Sequence, residues 1–231
     1  MIKQAMILSA GEGKRMRPLS KNCPKPLLPL GEKRIIDHVI TMLNVANINK
    51  ISLNIHQHQE RFINLDHITK FQEYQLLDSG GGVNNMLNFM LPDPFFCVNG
   101  DTFISTSEIS ILQQMGDYFD MANMDCLMLL CHQNQVVGDV ASGDYNRDQD
   151  GLLTRADDKD GDYFYCGIQI INPVVFHCQY ARGDIFSMRD IWDRLQENNR
   201  LYGLLLPQEQ QCYHIGTPSA LQHVEQQLYY G

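Results

Sequence analysis

The first hundred residues alternate short apolar runs with segments whose apolar residues recur at helical spacing, and this alternation constrains the fold most. The runs Gln4 to Ser9, Lys50 to Ile55 and Phe95 to Val98 are typical of buried strands. Between the first two runs, Ile35 to Leu43 places apolar side chains on one face of a helix. Alternating strands and helices favour a mostly parallel sheet with right-handed crossovers, so we predict an α/β fold.

Composition narrows the class of protein further. The 231 residues are 44% hydrophobic and 19% charged, which excludes a disordered or fibrous chain. No apolar run approaches the ~18 residues that span a membrane, and the apolar start is too short for a signal peptide. Seven cysteines at irregular spacing are typical of reduced thiols, so we expect a cytoplasmic protein without a membrane partner. Since no repeat or long linker interrupts the chain, we predict one domain over residues 1–231.

The net charge of −9 makes the chain a poor general binder of nucleic acid, so an anionic ligand would need a local basic cluster or a metal ion. Such a cluster follows the first predicted strand. Gly11 and Gly13 permit a tight turn that exposes backbone N–H groups, and Lys14, Arg15 and Arg17 add three cations. This combination suits a triphosphate, although it matches neither the Walker pattern nor G-x-G-x-x-G. The alternative interpretation is that the chain simply leaves the strand here and the basic side chains are exposed to solvent.

Three later features could join the same site. Lys25 stands between two prolines, which restrict its backbone and could hold its ammonium group in position for a phosphate. The alternative is an ordinary rigid loop. Asp101 follows an apolar strand and is suitably placed for Mg²⁺, although a lone Asp there is also typical of an Asx turn. We interpret Ser79 to Gly82 as a flexible stop whose glycines could admit a flat base, or simply as a loop.

These residues, in this order, resemble the sugar-1-phosphate nucleotidyltransferase family over nearly the whole chain. The family pattern is a strand, then Gly-x-Gly-x-Arg-x-Arg-Pro-Leu, then Pro-Lys-Pro, which occurs here at 11–19 and 24–26. Gly80-Gly81-Gly82 and Val98-Asn99-Gly100-Asp101 are most similar to bacterial N-acetylmuramate-1-phosphate uridylyltransferases. The resemblance implies a single Rossmann-like, three-layer domain of the nucleotide-diphospho-sugar transferase type, with a central, mostly parallel mixed sheet. It also implies that the chain lacks the C-terminal β-helix of the bifunctional relatives.

The resemblance further implies a reaction in which a sugar 1-phosphate oxygen attacks the α-phosphorus of a nucleoside triphosphate and pyrophosphate leaves. The best match is N-acetylmuramate 1-phosphate with UTP, and Mg²⁺ or Mn²⁺ as the cofactor. The implied catalytic residues are Arg15, Lys25 and Asp101, and the metal ligands are Asp101 and His214. The implied nucleotide-binding residues are Gly11, Gly13, Lys14, Arg15, Lys25, Gly81, Gly82 and Asn99, and the sugar-binding residues are Asp144 and Gly167.

Two places depart from the family pattern: Asp78-Ser79, which differ slightly from the expected Glu-Thr, and His214, which matters more. The family places an aspartate two residues before Gly216, where this chain has His214, and Mg²⁺ prefers oxygen ligands. Either the metal site is altered or the activity is weakened. The alternatives are therefore a weak relative that binds a nucleotide or a sugar phosphate, a mannose-1-phosphate guanylyltransferase, and a phosphocholine cytidylyltransferase. We expect a monomer or a homodimer.

Overall fold

The computed structural model describes residues 2–105, 110–139, 143–157, 160–177 and 179–230. The helices in these ranges are α1 Ile35–Val45, α2 Asp78–Met86, α3 Ile111–Tyr118, α4 Met188–Glu197 and α5 Pro218–Tyr229. The strands are β1 Gln4–Leu8, β2 Pro29–Leu30, β3 Lys33–Arg34, β4 Lys50–Ile55, β5 Thr69–Gln72, β6 Phe95–Asn99, β7 Thr102–Ile104, β8 Cys126–Cys131, β9 Val136–Gly138, β10 Tyr145–Arg147, β11 Leu153–Arg155, β12 Phe164–Ile171, β13 Leu201–Leu205 and β14 Cys212–His214. Among the described residues, no helix is both long and apolar enough to cross a membrane.

The main sheet has seven strands in the order β13-β8-β12-β6-β1-β4-β5. Strand β12 runs antiparallel to its neighbours β8 and β6, whereas the other neighbouring pairs are parallel. A three-stranded sheet, β7-β14-β9, is separate from it. The prediction of a mostly parallel mixed sheet is therefore confirmed.

Helices cover both faces of the main sheet. Successive side chains of a strand point to opposite faces, so neighbouring residues of β1 enter different clusters. Ile7 packs into a cluster with α1, α3 and α5, whereas Met6 packs into a second cluster with α2 and α4. The sheet is thus the middle of three layers, which confirms the predicted architecture. That the whole chain is one domain stays a prediction.

The helix signals of the sequence are confirmed at several helix starts. The apolar residues of α1 that the spacing indicated are buried. At α4, the Ser187 hydroxyl accepts from the Arg189 N–H, and the Asp190 carboxylate accepts from the Ser187 N–H at 3.2 Å. The Thr217 hydroxyl caps α5 by accepting from the Ala220 N–H.

The interpretation of Ser79 to Gly82 as a flexible stop is wrong, because these residues lie in the first turns of α2. The N–H groups of Gly80 and Gly81 both donate to the Phe186 carbonyl, at 3.0 and 3.1 Å. These groups would otherwise lack partners at the helix start. The glycines permit this close packing, since a Cβ on Gly81 would lie 2.2 Å from the Asp184 carbonyl oxygen. Tertiary packing therefore overrides the low helix propensity of glycine.

Gly81→Ala should destabilise the fold, whereas Gly116→Ala should not. The Cβ of an alanine at residue 81 would clash with the Asp184 backbone, and overpacking of this kind costs about 1–3 kcal/mol of stability. A Cβ on Gly116, inside α3, meets nothing within 4 Å, so alanine there should stabilise the chain by about 0.4–1 kcal/mol. Urea unfolding of both variants would measure the difference. Equal stability of the two would contradict the packing explanation for Gly81.

Candidate active site

Two adjoining clefts lie where β1 and β6 end. These strands are parallel neighbours with Leu8 opposite Asn99, so the segments that follow them lie at the same edge of the sheet. The first cleft, of about 640 Å³, is lined by residues 8–15, 25–26 and 99–101 with Asn54, Glu73 and others. The second cleft, of about 690 Å³, includes Asp144, Gly167 and His214. Leu8, Arg15, Ser79 and Asn99 line both.

The glycine-rich loop forms part of the first cleft. Gly13 has a φ of 59°, in the left-handed region that favours glycine, and begins a short 3₁₀ turn over Lys14–Met16. The Ser20 hydroxyl donates to the Gly13 carbonyl at 2.7 Å and so stabilises the turn from outside. A Cβ on Gly11 would have nothing within 4 Å, so this glycine faces open space.

The cations of the loop have different surroundings. Lys14 is exposed and forms an ion pair with Glu12 at 2.6 Å. Arg15 is exposed and lines both clefts, and its side chain has no hydrogen bond or ion pair with any described residue. Arg17 lines neither cleft. Arg15 is therefore the loop cation best placed for a ligand that extends from one cleft into the other.

Lys25 and Asp101 form an ion pair in the first cleft, with side chains 13% and 19% exposed. Lys25 begins a 3₁₀ turn, and Asp101 lies between β6 and β7. Burial alone would raise the pKa of Asp101. The charges of Lys25 and His214, with hydrogen bonds from Lys25 and Thr102, outweigh burial and lower that pKa below its ordinary value. Asp101 is therefore an ionised carboxylate at neutral pH.

His214 lies beside this pair on the three-stranded sheet. Strand β14 places His214 opposite Thr102, the residue after Asp101. The His214 Nδ1 lies 3.1 Å from the Asp139 carbonyl, to which it can only donate. With Nδ1 as the donor in that contact, Nε2 is the ring atom that could bind a cation. The structure therefore brings Asp101 and His214 together, although His214 lines the second cleft and Asp101 the first.

The residues expected to bind sugar lie in the second cleft. An Asp144 carboxylate oxygen accepts from the Tyr165 N–H at 3.0 Å, which fixes Asp144 against β12. Gly167 has a φ of 68°, and a Cβ there would lie 2.7 Å from the Asn99 side-chain nitrogen. Asn99 therefore packs against the Gly167 backbone at the wall between the two clefts.

The structure does not bring Gly81 and Gly82 into either cleft. Both are buried, and a Cβ on Gly82 would lie 2.8 Å from side-chain atoms of Asn54 and Glu73. Asn54 and Glu73 line the first cleft instead. The glycines thus support the residues that line the cleft. That they contact the base of the nucleotide stays a prediction.

Asn54 and Glu73 are site residues that the sequence analysis missed. The Ser9 N–H donates to the Asn54 side chain at 2.7 Å, and the Asn54 amide donates to the Glu73 carboxylate at 2.6 Å. Burial raises the pKa of Glu73 despite this hydrogen bond. The network links the start of the glycine-rich loop to β4 and to the segment before α2. One signal was present, since Asn54 is a polar residue near the carboxyl end of an apolar strand.

Several known proteins are similar to this chain. Residues 4–115 match the family described as "Nucleotidyl transferase". The N-acetylmuramate alpha-1-phosphate uridylyltransferase of Caulobacter vibrioides is 26% identical over 238 residues, which cover 98% of this chain and 97% of that protein. The protein named "Probable mannose-1-phosphate guanylyltransferase 1" of Oryza sativa subsp. japonica is 24% identical over 88% of this chain and 59% of that protein.

A solved structure has the same fold. The structure of UDP-glucose pyrophosphorylase complexed with UDP-glucose has a TM-score of 0.76 to this chain at 15% identity, and the match covers 99% of both chains. This likeness confirms the Rossmann-like fold of the nucleotide-diphospho-sugar transferase type. The family match and the full-length relative confirm the resemblance to the sugar-1-phosphate nucleotidyltransferases.

Asp101→Asn should lower stability at neutral pH but not in strong acid. Because the folded-state pKa of Asp101 is lowered, its ionised form stabilises the fold above the unfolded-state pKa of about 3.9. That stabilisation disappears as the pH falls through the folded-state pKa. We expect Asp101→Asn to cost about 1–3 kcal/mol at pH 7, because Lys25 loses its partner.

Urea unfolding between pH 7 and pH 2.5 would measure this difference, which should shrink steadily below about pH 4. Asp117→Asn is the matched control, since Asp117 is an exposed carboxylate on α3. A stability difference for Asp101→Asn that does not depend on pH would contradict the ion-pair explanation.

Proposed function

We propose that this chain transfers a nucleotidyl group from a nucleoside triphosphate to a sugar 1-phosphate and releases pyrophosphate. The observation that carries the proposal is the junction of the two clefts at Arg15 and Asn99, beside the Lys25–Asp101 pair. A triphosphate in the first cleft and a sugar phosphate in the second would meet at this junction. The full-length similarity to a uridylyltransferase supports the same reaction.

The reaction requires positioning and charge neutralisation rather than a protein nucleophile. An oxygen of the sugar phosphate attacks the α-phosphorus, the bond to the β-phosphate oxygen breaks, and pyrophosphate leaves. Backbone around Gly11 and Gly13 would contact the triphosphate, together with Lys14. Arg15 and Lys25 would stabilise the negative charge of the transition state, and Asp144 and the Gly167 backbone would position the sugar.

The residues present fit a divalent cation held by one protein carboxylate and by substrate phosphates. Asp101 is ionised and reaches the first cleft, and Mg²⁺ in phosphate-transfer sites uses one or two carboxylates with phosphate oxygens. His214 could contribute Nε2, which Mn²⁺ accepts more readily than Mg²⁺. Such an ion, when bound, would neutralise phosphate charge and orient the pyrophosphate leaving group. Lys25 would then exchange Asp101 for a phosphate oxygen.

For the substrates, we propose N-acetylmuramate 1-phosphate and UTP. The support is the relative of Caulobacter vibrioides, whose name specifies that sugar phosphate and uridylyl transfer and which matches 98% of this chain. Mannose-1-phosphate guanylyl transfer is a second candidate, supported by the partial match to the rice protein. A nucleotide-binding relative of low activity is a third, and His214 is the observation that favours it.

A screen of pyrophosphate release would separate these candidates. The purified chain would be incubated with each nucleoside triphosphate and a panel of sugar 1-phosphates and phosphocholine, with Mg²⁺ or Mn²⁺. We expect release with UTP and N-acetylmuramate 1-phosphate. Release only with GTP and mannose 1-phosphate would favour the second candidate. Nucleotide binding by calorimetry without release in any mixture would contradict the proposed reaction and favour the third.

Arg15→Ala and Lys25→Ala should both impair turnover, but in different ways. Arg15→Ala should mainly lower kcat/KM for the triphosphate, whereas Lys25→Ala should also lower kcat, because its charge acts in the transition state. Loss of one charge-assisted contact, about 2–4 kcal/mol, corresponds to a roughly 30- to 1000-fold decrease. Steady-state kinetics would measure both effects. Lys21→Ala removes an exposed cation of the same loop outside both clefts and should retain activity.

His214→Asp should raise the affinity for Mg²⁺. The substitution adds a negative charge next to Asp101 and supplies the oxygen ligand that Mg²⁺ prefers, so the Mg²⁺ concentration for half-maximal rate should fall by about tenfold. His223→Asp adds the same charge on the exposed side of α5 and should leave that concentration unchanged. No change in His214→Asp with either Mg²⁺ or Mn²⁺ would exclude residue 214 from the metal site.

A further inference from the structure

Three buried cysteines converge at one point of the core. Cys131 ends β8, Cys166 lies in β12, and Cys212 begins β14. Each is 0% exposed, and their three Sγ atoms all lie within 4.8 Å of one another. They are separated by at least 34 residues in the chain, so the fold alone brings them together. We call them the thiol cluster.

The topology explains why the thiols meet. Strands β8 and β12 are antiparallel neighbours, and their register shifts between Tyr165 and Gln169, next to Cys166. The β7-β14-β9 sheet packs against β12 through β7, which brings Cys212 to the same place. The cluster therefore joins two sheets, and all three of its cysteines are free thiols.

The spacing suits a soft metal ion. A zinc–thiolate bond is about 2.3 Å long, so three sulfur ligands around one ion lie about 4 Å apart. Small side-chain rotations would bring the Sγ atoms of the thiol cluster to that spacing. A divalent ion with three thiolates carries one net negative charge, whereas a monovalent ion would leave two, and buried charge is costly. Thiolates also select soft ions over Mg²⁺.

We propose that Cys131, Cys166 and Cys212 bind one soft divalent metal ion of the Zn²⁺ type. Binding forms three metal–sulfur bonds, and each thiol releases its proton to solvent, without any change of oxidation state. The site is separate from the proposed Mg²⁺ position, and the proposal does not depend on the proposed function. The cluster is nevertheless close to the clefts, since Cys166 precedes Gly167 and Cys212 lies two residues before His214. An ion there would cross-link the strands that position both residues.

Zn²⁺ titration of the reduced, metal-free chain against a chromophoric chelator tests the proposal. We expect one tightly bound Zn²⁺ per chain. Serine variants of Cys131, Cys166 or Cys212 should each weaken binding by at least about 100-fold, since loss of a direct ligand costs more than the roughly 10–100-fold typical of losing an outer-shell partner. Co²⁺ in the wild-type chain should give the near-ultraviolet sulfur-to-metal absorption of thiolate ligands, and each variant should weaken it.

Cys126→Ser is the matched control. Cys126 lies on the same strand as Cys131 and is equally buried, but its Sγ donates to the Gln169 side chain at 3.1 Å, as a serine hydroxyl can. This variant should bind Zn²⁺ like the wild type. Zn²⁺ at about 100 times its Kd should raise the Tm of the wild type and of this control by about 5 °C or more, but not the Tm of the cluster variants.

Measurements on the wild-type chain test whether the thiol cluster binds Zn²⁺ even if the cluster variants do not fold. Under mild denaturant, Zn²⁺ should slow alkylation of Cys131, Cys166 and Cys212, followed by mass spectrometry, but not alkylation of Cys126. Equal alkylation rates with and without Zn²⁺ would overturn the proposal. The absence of tight Zn²⁺ binding would also overturn it, as would a loss of binding in Cys126→Ser equal to that in the cluster variants. In those cases the three cysteines would be small apolar core residues.

Discussion

The parallel pairing of β1 with β6 is the constraint on which the candidate site depends. Leu8 and Asn99 are opposite each other, and the Gly100 N–H extends the pairing by donating to the Leu8 carbonyl at 3.0 Å. A Cβ at residue 100 would lie 2.8 Å from that oxygen, so the chain can leave β6 this close to β1 only with glycine. Asp101 consequently emerges beside the glycine-rich loop. The ion pair with Lys25 follows from this geometry.

The local charges differ from the charge of the whole chain. The net charge is −9, yet in the first cleft Lys25 neutralises Asp101, and Lys14 is paired with Glu12. Within the described ranges, Arg15 has no such partner and lies at the junction of the clefts. Of these three cations, Arg15 is therefore the one not already paired with a described carboxylate. Phosphate oxygens could then replace Asp101 as the partner of Lys25, because they are anionic acceptors of the same kind.

The sequence predicted the architecture because the signals for individual strands and helices are local. Strands such as Gln4–Leu8 and helices such as Ile35–Val45 depend on residue spacing, and their order along the chain implies the sheet. The glycines at 80–82 were misinterpreted because their helix depends on a distant partner, the Phe186 carbonyl. Long-range packing of this kind has no signature in the residues themselves.

Contacts between distant residues also limited what the sequence could predict about the candidate site. Lys25 and Asp101 were predicted from short motifs that the resemblance placed together, whereas Asn54 and Glu73, which line the same cleft, were not predicted. Their contact joins residues 19 positions apart on different segments. The thiol cluster was missed for the same reason, since its members come from three strands. The six cysteines within the described ranges are free, but their spacing in the sequence could not show which of them meet.

The histidine at 214 shows how the backbone limits the effect of a substitution. Strand β14 lies between β7 and β9, so residue 214 stays opposite Thr102 whatever its side chain. An aspartate there could not donate to the Asp139 carbonyl, and it would place a second negative charge beside Asp101. Lys25 could neutralise only one of the two charges. Compared with an aspartate, the histidine therefore adds a hydrogen bond to the Asp139 carbonyl and no second negative charge beside Asp101. In the proposed reaction, the substrate phosphates must then supply more of the negative charge around a divalent cation.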